Sequence, residues 1–361
     1  MDGVLGFLSA LALTAIATRL LYPLALRWGW TDAPDGVRKR HQGEVPLIGG
    51  LVILIGILGG MWIQGFLAKP VLPEWRIWLV CISILAMAGF VDDFTDRVSP
   101  TLRMLVQIVV ALIAILGAHL VLTRLGDLWG SGRVVTGLWA TPFTVLCFVG
   151  VTNSMNLIDG VDGLAGSVAL APLFWIILFA YETGQGNLGA TGLALVGSLV
   201  AFLGFNFDHG LRRTRIFLGS GGATVIGFTL AWFLVHLSQA RVHPLPPIVA
   251  VWIMGLPILE TVTVMIRRLI RRRHPLYGGR DHLHHFWLHL GRSNRAIALG
   301  EAAAALALGG VGYWGWAEKV PAYVLSLGFI GLSGIYFAGL ELLERKRRWA
   351  AYPEKNEVAP S

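Results

Sequence analysis

Eleven apolar blocks, each near the length of a membrane crossing, dominate this 361-residue chain. They run at about 3–26, 46–68, 75–91, 102–123, 138–155, 163–181, 188–207, 216–238, 246–266, 296–316 and 321–343. A helix needs about 20 apolar residues to cross ~30 Å of hydrocarbon. The blocks are unbroken, whereas the strands of a membrane barrel alternate apolar and polar residues. Open sheet edges cannot sit in lipid, so the expected fold is an all-α, polytopic membrane protein with about 11 transmembrane helices. Composition agrees: 55% of the residues are hydrophobic and 14% are charged, against about 25% charged in an ordinary soluble domain. A soluble or disordered chain is excluded. The apolar start, Val4 to Leu26, is too long for a signal-peptide core and reads as the first span.

Charge sets the expected orientation. The formal net charge is +8, with 29 Lys and Arg. Of these, 22 lie in one set of alternate loops and the C-terminal tail, 6 lie in the other set, and Arg19 lies within the first span. Lys and Arg accumulate on the cytoplasmic side. That bias predicts an outside N-terminus, a cytoplasmic C-terminus and an odd number of spans. The basic excess is then a membrane signature, and no nucleic-acid partner is expected. Cys81 and Cys147 both fall in apolar blocks and read as inert thiols.

Polar chemistry gathers on the predicted cytoplasmic face. Asp92, Asp93 and Asp96 follow the third block, in Gly89-Phe-Val-Asp-Asp-Phe-Thr-Asp-Arg97. Adjacent carboxylates can hold a divalent cation or take a proton from a phosphate, although a solvated helix end has the same composition. Asn153, Asn156 and Asp159 recur every three residues after the fifth block, which predicts one shared helical face, and Asp162 adds another carboxylate. Gly219, Gly221 and Gly222 surround Ser220 at the entry to the eighth block, where backbone N–H groups can meet an anion. Arg280, His282, His284 and His285 form a dense cationic segment suited to phosphate, with a zinc site less favoured because no cysteine accompanies it. Arg38, Lys39, Arg40 and His41 offer further phosphate partners in the first loop. Charged groups lie at one membrane face rather than at mid-depth, which argues against a transporter or channel.

In this order, the stretches Arg38-Lys-Arg-His-Gln-Gly-Glu-Val-Pro-Leu-Ile-Gly-Gly50, Phe90-Val-Asp-Asp93, Asn153-Ser-Met-Asn-Leu-Ile-Asp-Gly-Val-Asp-Gly-Leu-Ala165, Phe217-Leu-Gly219 and Arg280-Asp-His-Leu-His-His285 resemble the polyprenyl-phosphate N-acetylhexosamine-1-phosphate transferase family. The resemblance is nearest to the branch of bacterial undecaprenyl-phosphate N-acetylglucosamine-1-phosphate transferases. It spans residues 32–290 and implies Mg2+-dependent transfer of a sugar-1-phosphate from a UDP-N-acetylhexosamine to a polyprenyl phosphate, with release of UMP. Mn2+ is an alternative metal. The step would be the first membrane reaction of a cell-envelope polysaccharide, at the cytoplasmic face of a bacterial inner membrane.

Carried over by position, Asp92 and Asp93 are the catalytic acidic pair, acting by direct attack or through a covalent intermediate. Arg38, Lys39, His41, Asn153, Asn156, Asp159, Asp162, Gly219, Arg280, His282, His284 and His285 line the substrates, and Asn156 lies on the metal side. The implied organisation is one transmembrane transferase domain, 1–343, with active-site loops at 28–45, 92–101, 153–162, 208–220 and 267–295, then a basic tail at 344–361. Membrane lipids and a second copy in a homodimer complete the expected partners.

One position departs from the family. Its fourth stretch normally ends in a metal-binding Asp, and here that position is Ser220. A neutral hydroxyl is a poorer ligand for a hard cation than a carboxylate. Three readings stand: an inactivating substitution, a member whose catalysis is altered or lost, or compensation by another carboxylate such as Asp281 or Asp208. A member without catalysis would still bind the lipid carrier or the nucleotide-sugar. A smaller departure is Gly279, where the family often carries Asp before the arginine; Asp281 would restore that charge locally.

Overall fold

The computed structural model describes residues 2–32, 44–67, 74–95, 98–207, 215–240, 244–274 and 281–350. Its helices are α1 (Asp2–Trp28), α2 (Gly49–Leu67), α3 (Trp75–Thr95), α4 (Pro100–Ala118), α5 (Ala140–Ile158), α6 (Leu164–Glu182), α7 (Gly186–Asn206), α8 (Gly219–Ser238), α9 (Pro247–Ile253), α10 (Gly255–Ile270), α11 (Leu283–His289), α12 (Asn294–Ala317) and α13 (Ala322–Ala350). The only strands among these residues are two short antiparallel pairs. Thr31–Asp32 pairs with Val45–Pro46, and Arg124–Gly126 with Val134–Val135.

The expected all-α architecture is observed. Among the described residues, nine helices are long and apolar enough to cross a membrane, and ten if one bent pair counts as a span. The second block is a shorter apolar helix, Gly49–Gly65. The expected eleven is reached only by counting both. The ninth block differs from the uninterrupted span expected at 246–266: α9 and α10 meet at 84°. Pro257 supplies a physical reason. It has no N–H to give the carbonyl of Ile253, so the hydrogen-bond ladder is cut where the chain turns.

Helix starts follow local chemistry. Ser99 accepts the N–H of Leu102, with Pro100 opening α4, and Ser293 accepts the N–H of Ala296 to open α12. Helix α8 is the axis of the molecule: 89% of its apolar window is buried, against 22% for α13. It packs against α2, α3, α5 and α6, while α1 and α7 close around α2. Small residues allow these approaches. A Cβ on Gly89 of α3 would run into the backbone of Gly221 of α8, and one on Gly227 would meet the Thr152 backbone of α5. Cys81 and Cys147 are both free thiols.

Candidate active site

The N-terminus of α8 is the meeting point. Its approach segment is tied to the entry of α2 by backbone hydrogen bonds. Phe217 N–H donates to Pro46 (2.9 Å), Gly49 N–H donates to Phe217 (2.8 Å) and Gly50 N–H donates to Leu218 (2.9 Å). The end of the first sequence stretch, Pro46 to Gly50, and the fourth stretch are therefore one structural unit. The Thr31–Asp32 and Val45–Pro46 pairing brackets the loop carrying Arg38, Lys39 and His41, which lie outside the described residues, as do Asp96, Asp208 and Arg280.

The α3 carboxylates part company. Asp93 reaches α8, where its Oδ1 accepts the N–H of Ser220 at 2.8 Å. Gly219 sits beside it in the left-handed region, with φ +73°. Any side chain at 219 would be strained and would strike the Asp93 carboxylate. The anion that meets the glycine-rich helix entry is thus, in this arrangement, the protein's own carboxylate. Asp92 points the other way, to Arg103 of α4 at 3.0 Å. Arg103 is a site neighbour that the sequence signals only as an arginine in the first turn of an apolar helix.

The third stretch also divides. Asn153 donates to the Gln107 side chain (2.5 Å) and to the Val149 carbonyl (2.9 Å), so it clamps α5 to α4. Asp159, two steps along the same series, instead lies near Asp93 and Asp162. Three residues advance a helix by about 300°, so successive members of such a series drift round the axis. Moreover, α5 ends at Ile158 and Asp159 lies beyond the last turn. The side chains of Asn156 and Asp159 make no hydrogen bond among the described residues. Burial, followed by the nearby charges of Asp93 and Asp162, pushes the Asp159 carboxyl up to about 8. Asp162 is engaged: it pairs with Arg215 and accepts from Asn294 of α12 at 3.0 Å.

The histidine segment closes the site. His284 is 1% exposed and lies directly over Gly160, where a Cβ would strike its Nε2. His282 and His284 stack at 5.5 Å between centroids, and His284 and His285 are 4.3 Å apart. Desolvation first, then His285 and His282, holds His284 down to about 2, so it is neutral at ordinary pH. Glu260 of α10 accepts the N–H of Leu283 (2.9 Å) and lies 2.8 Å from Nδ1 of His282. Glu260 was missed because it sits inside an apolar block.

Asp281, weighed as a substitute for the carboxylate absent at Ser220, is instead paired to Arg268 at 3.2 Å. Although burial acts to raise it, that hydrogen bond and the charges of Arg268 and Arg267 keep its carboxyl below the usual range. Among the described residues no group of three or more His, Cys, Asp or Glu is preassembled for a metal. Asp93, Asp159 and Asp162 nevertheless crowd one region, and a cation would relieve their repulsion.

A model of glycosyl transferase family 4 matches residues 75–238. The chain is similar to proteins named undecaprenyl-phosphate alpha-N-acetylglucosaminyl 1-phosphate transferase in several bacteria. The Yersinia pestis protein is 31% identical over 307 residues, 84% of this chain and 81% of that protein. The protein of Escherichia coli strain K12 is 31% identical over 309 residues, covering 85% and 82%. That of Haemophilus influenzae is 31% identical over 344 residues, covering 93% of each.

Proposed function

The chain belongs to glycosyl transferase family 4, a family of phosphoglycosyltransferases, and on that premise we propose that it transfers N-acetylglucosamine-1-phosphate from UDP-N-acetylglucosamine to undecaprenyl phosphate, releasing UMP. The observation that carries this reading is the convergence of Asp93, Asp159 and Asp162 beside a neutral His284 over Gly160. The basic-residue bias supports a cytoplasmic position for this region, where a soluble nucleotide-sugar and a lipid phosphate can both reach it. The reaction opens assembly of a cell-envelope polysaccharide.

Both substrates are anionic, so their repulsion must be offset before phosphorus is attacked. Asp93 has Oδ1 committed to Ser220, which orients Oδ2 as the base for the lipid phosphate proton. The freed phosphate oxygen attacks the sugar-bearing phosphorus, a new P–O–P linkage forms, the old one to the uridine side breaks, and UMP leaves. Asp92, held by Arg103, supports the end of α3. His285 would meet the diphosphate, with Arg280, outside the described residues, as a further cationic partner.

Mg2+, or Mn2+ in its place, fits the donor set. Asp159 is a crowded carboxylate with no partner among the described residues, and the Asn156 amide and Ser220 hydroxyl supply neutral oxygens. Mg2+ is commonly held by one or two carboxylates, with water and substrate phosphate completing its shell, so a preassembled cage is not needed. Bound there, it would neutralise charge on the diphosphate.

Ser220 favours a second reading, a member that binds substrate without turnover. A UMP-release assay on a panel of UDP-sugars separates the two, using the intact chain and Ser220→Asp. Release by the intact chain, fastest with UDP-N-acetylglucosamine, is expected. Nucleotide-sugar binding without release, with release restored by Ser220→Asp, supports the second reading. No release from either protein at high Mg2+ contradicts the transferase.

A further inference from the structure

Glu260 is 1% exposed, in a helix that the sequence presents as a membrane span. Burying a carboxylate is costly unless donors surround it. Glu260 has three. Oε2 lies 2.8 Å from Nδ1 of His282, and Oε1 takes the Leu283 N–H at 2.9 Å and the Tyr336 hydroxyl from α13. A carboxylate only accepts, so His282 must carry its proton on Nδ1. The same helix grips the segment two turns on. Arg267 donates to the Asp281 carbonyl (3.3 Å) and Arg268 to the Asp281 carboxylate (3.2 Å). Residues 260, 267 and 268 recur at helical spacing, so one face of α10 holds the start of the histidine segment.

We propose that Glu260 is a positioning residue for the reaction: by fixing the proton of His282 on Nδ1 and capping Leu283, it holds His284 over Gly160 beside the carboxylates. The proposal rests on the transferase reading for its kinetic consequence, but not for its structural one. Carboxylates behind an imidazole commonly act this way, fixing both ring orientation and tautomer.

Glu260→Gln is the diagnostic change. It keeps the shape and one acceptor oxygen, which remains with Leu283 and Tyr336. Its NH2 then faces Nδ1 of His282, and the imidazole must move its proton to Nε2. In the UMP-release assay, kcat is expected to fall about 10- to 100-fold, with the KM for UDP-N-acetylglucosamine within about threefold and the melting temperature unchanged. Because Glu260 acts through His282, the double variant Glu260→Gln/His282→Ala should be no slower than His282→Ala alone. Wild-type kcat in Glu260→Gln, or losses that multiply in the double variant, would overturn the proposal. Imidazole 15N spectra give a readout free of activity: His282 should be Nδ1-protonated in the intact chain and Nε2-protonated in Glu260→Gln. The same tautomer in both would also overturn it. An intact chain that releases no UMP would count against the transferase reading alone, and the tautomer would still decide this one.

Discussion

Asp93 spans the gap between α3 and α8 with one oxygen on the Ser220 N–H and the other beside Gly219. Its two contributions can be separated. Asp93→Asn keeps an acceptor for the Ser220 N–H and loses the base, so thermal stability should hold while UMP release falls by roughly 10²-fold or more. Asp93→Ala should lose both, with about 1 kcal/mol of stability going with the helix cap. A melting curve and a turnover assay on the two variants check this. Asp159 makes a pH prediction. Its folded-state pKa, about 8, is raised above the ordinary 3.8. The folded form therefore holds a proton that the unfolded chain releases, and stability is lost as pH rises from about 4 through about 8. In EDTA, the melting temperature should fall across pH 5–8, by at most about 1.4 kcal/mol of stability per pH unit. Asp159→Asn should flatten that slope, and Mg2+ should flatten it in the intact chain. A rising or level curve for the intact chain in EDTA would contradict the assignment.

At the scale of helices, hydropathy alone located every apolar block, because lipid demands long apolar runs and internally satisfied backbone. It did not show the break at Met254. Average hydropathy is blind to a proline's missing N–H, and Pro257 was the residue to notice. Nor did it show that Asn153 serves α4 while Asp159 lies near Asp93 and Asp162. That division depends on where α5 stops and on Gln107, a partner 46 residues away. Helix crossings are the mechanical weak points. Gly221 faces the Ala86 carbonyl and the Gly89–Phe90 backbone of α3, so a bulky side chain must push two backbones apart. Gly221→Val should destabilise the fold by about 1–3 kcal/mol or more. It should also impair turnover, because Asp93 and Ser220 lie at the same crossing. A variant with intact melting and turnover would contradict a tight crossing at this point.

Over the whole molecule, stretches separated by more than two hundred residues converge on one helix end. Their order and residue types were legible in the sequence, since phosphate chemistry at a membrane face calls for carboxylates, imidazoles and glycines. Their supports were not. Arg103, Arg215, Asn206, Glu260 and Asn294 act through contacts that only the packed bundle creates. Asn206, for example, accepts the Gly163 N–H and donates to the Ile216 carbonyl at 2.8 Å, joining the third stretch to the fourth. Ser220 likewise acquires meaning only in three dimensions, as the donor that orients Asp93.

The central claim is that this helix end transfers sugar-1-phosphate to a lipid. Its most direct test supplies purified protein with undecaprenyl phosphate, Mg2+ and UDP-N-acetylglucosamine radiolabelled in the sugar, then follows label into the lipid phase alongside UMP. Label in lipid should be matched one-for-one by UMP, and should be abolished by EDTA and by Asp159→Asn. UMP without labelled lipid, or transfer undiminished by Asp159→Asn, would contradict it.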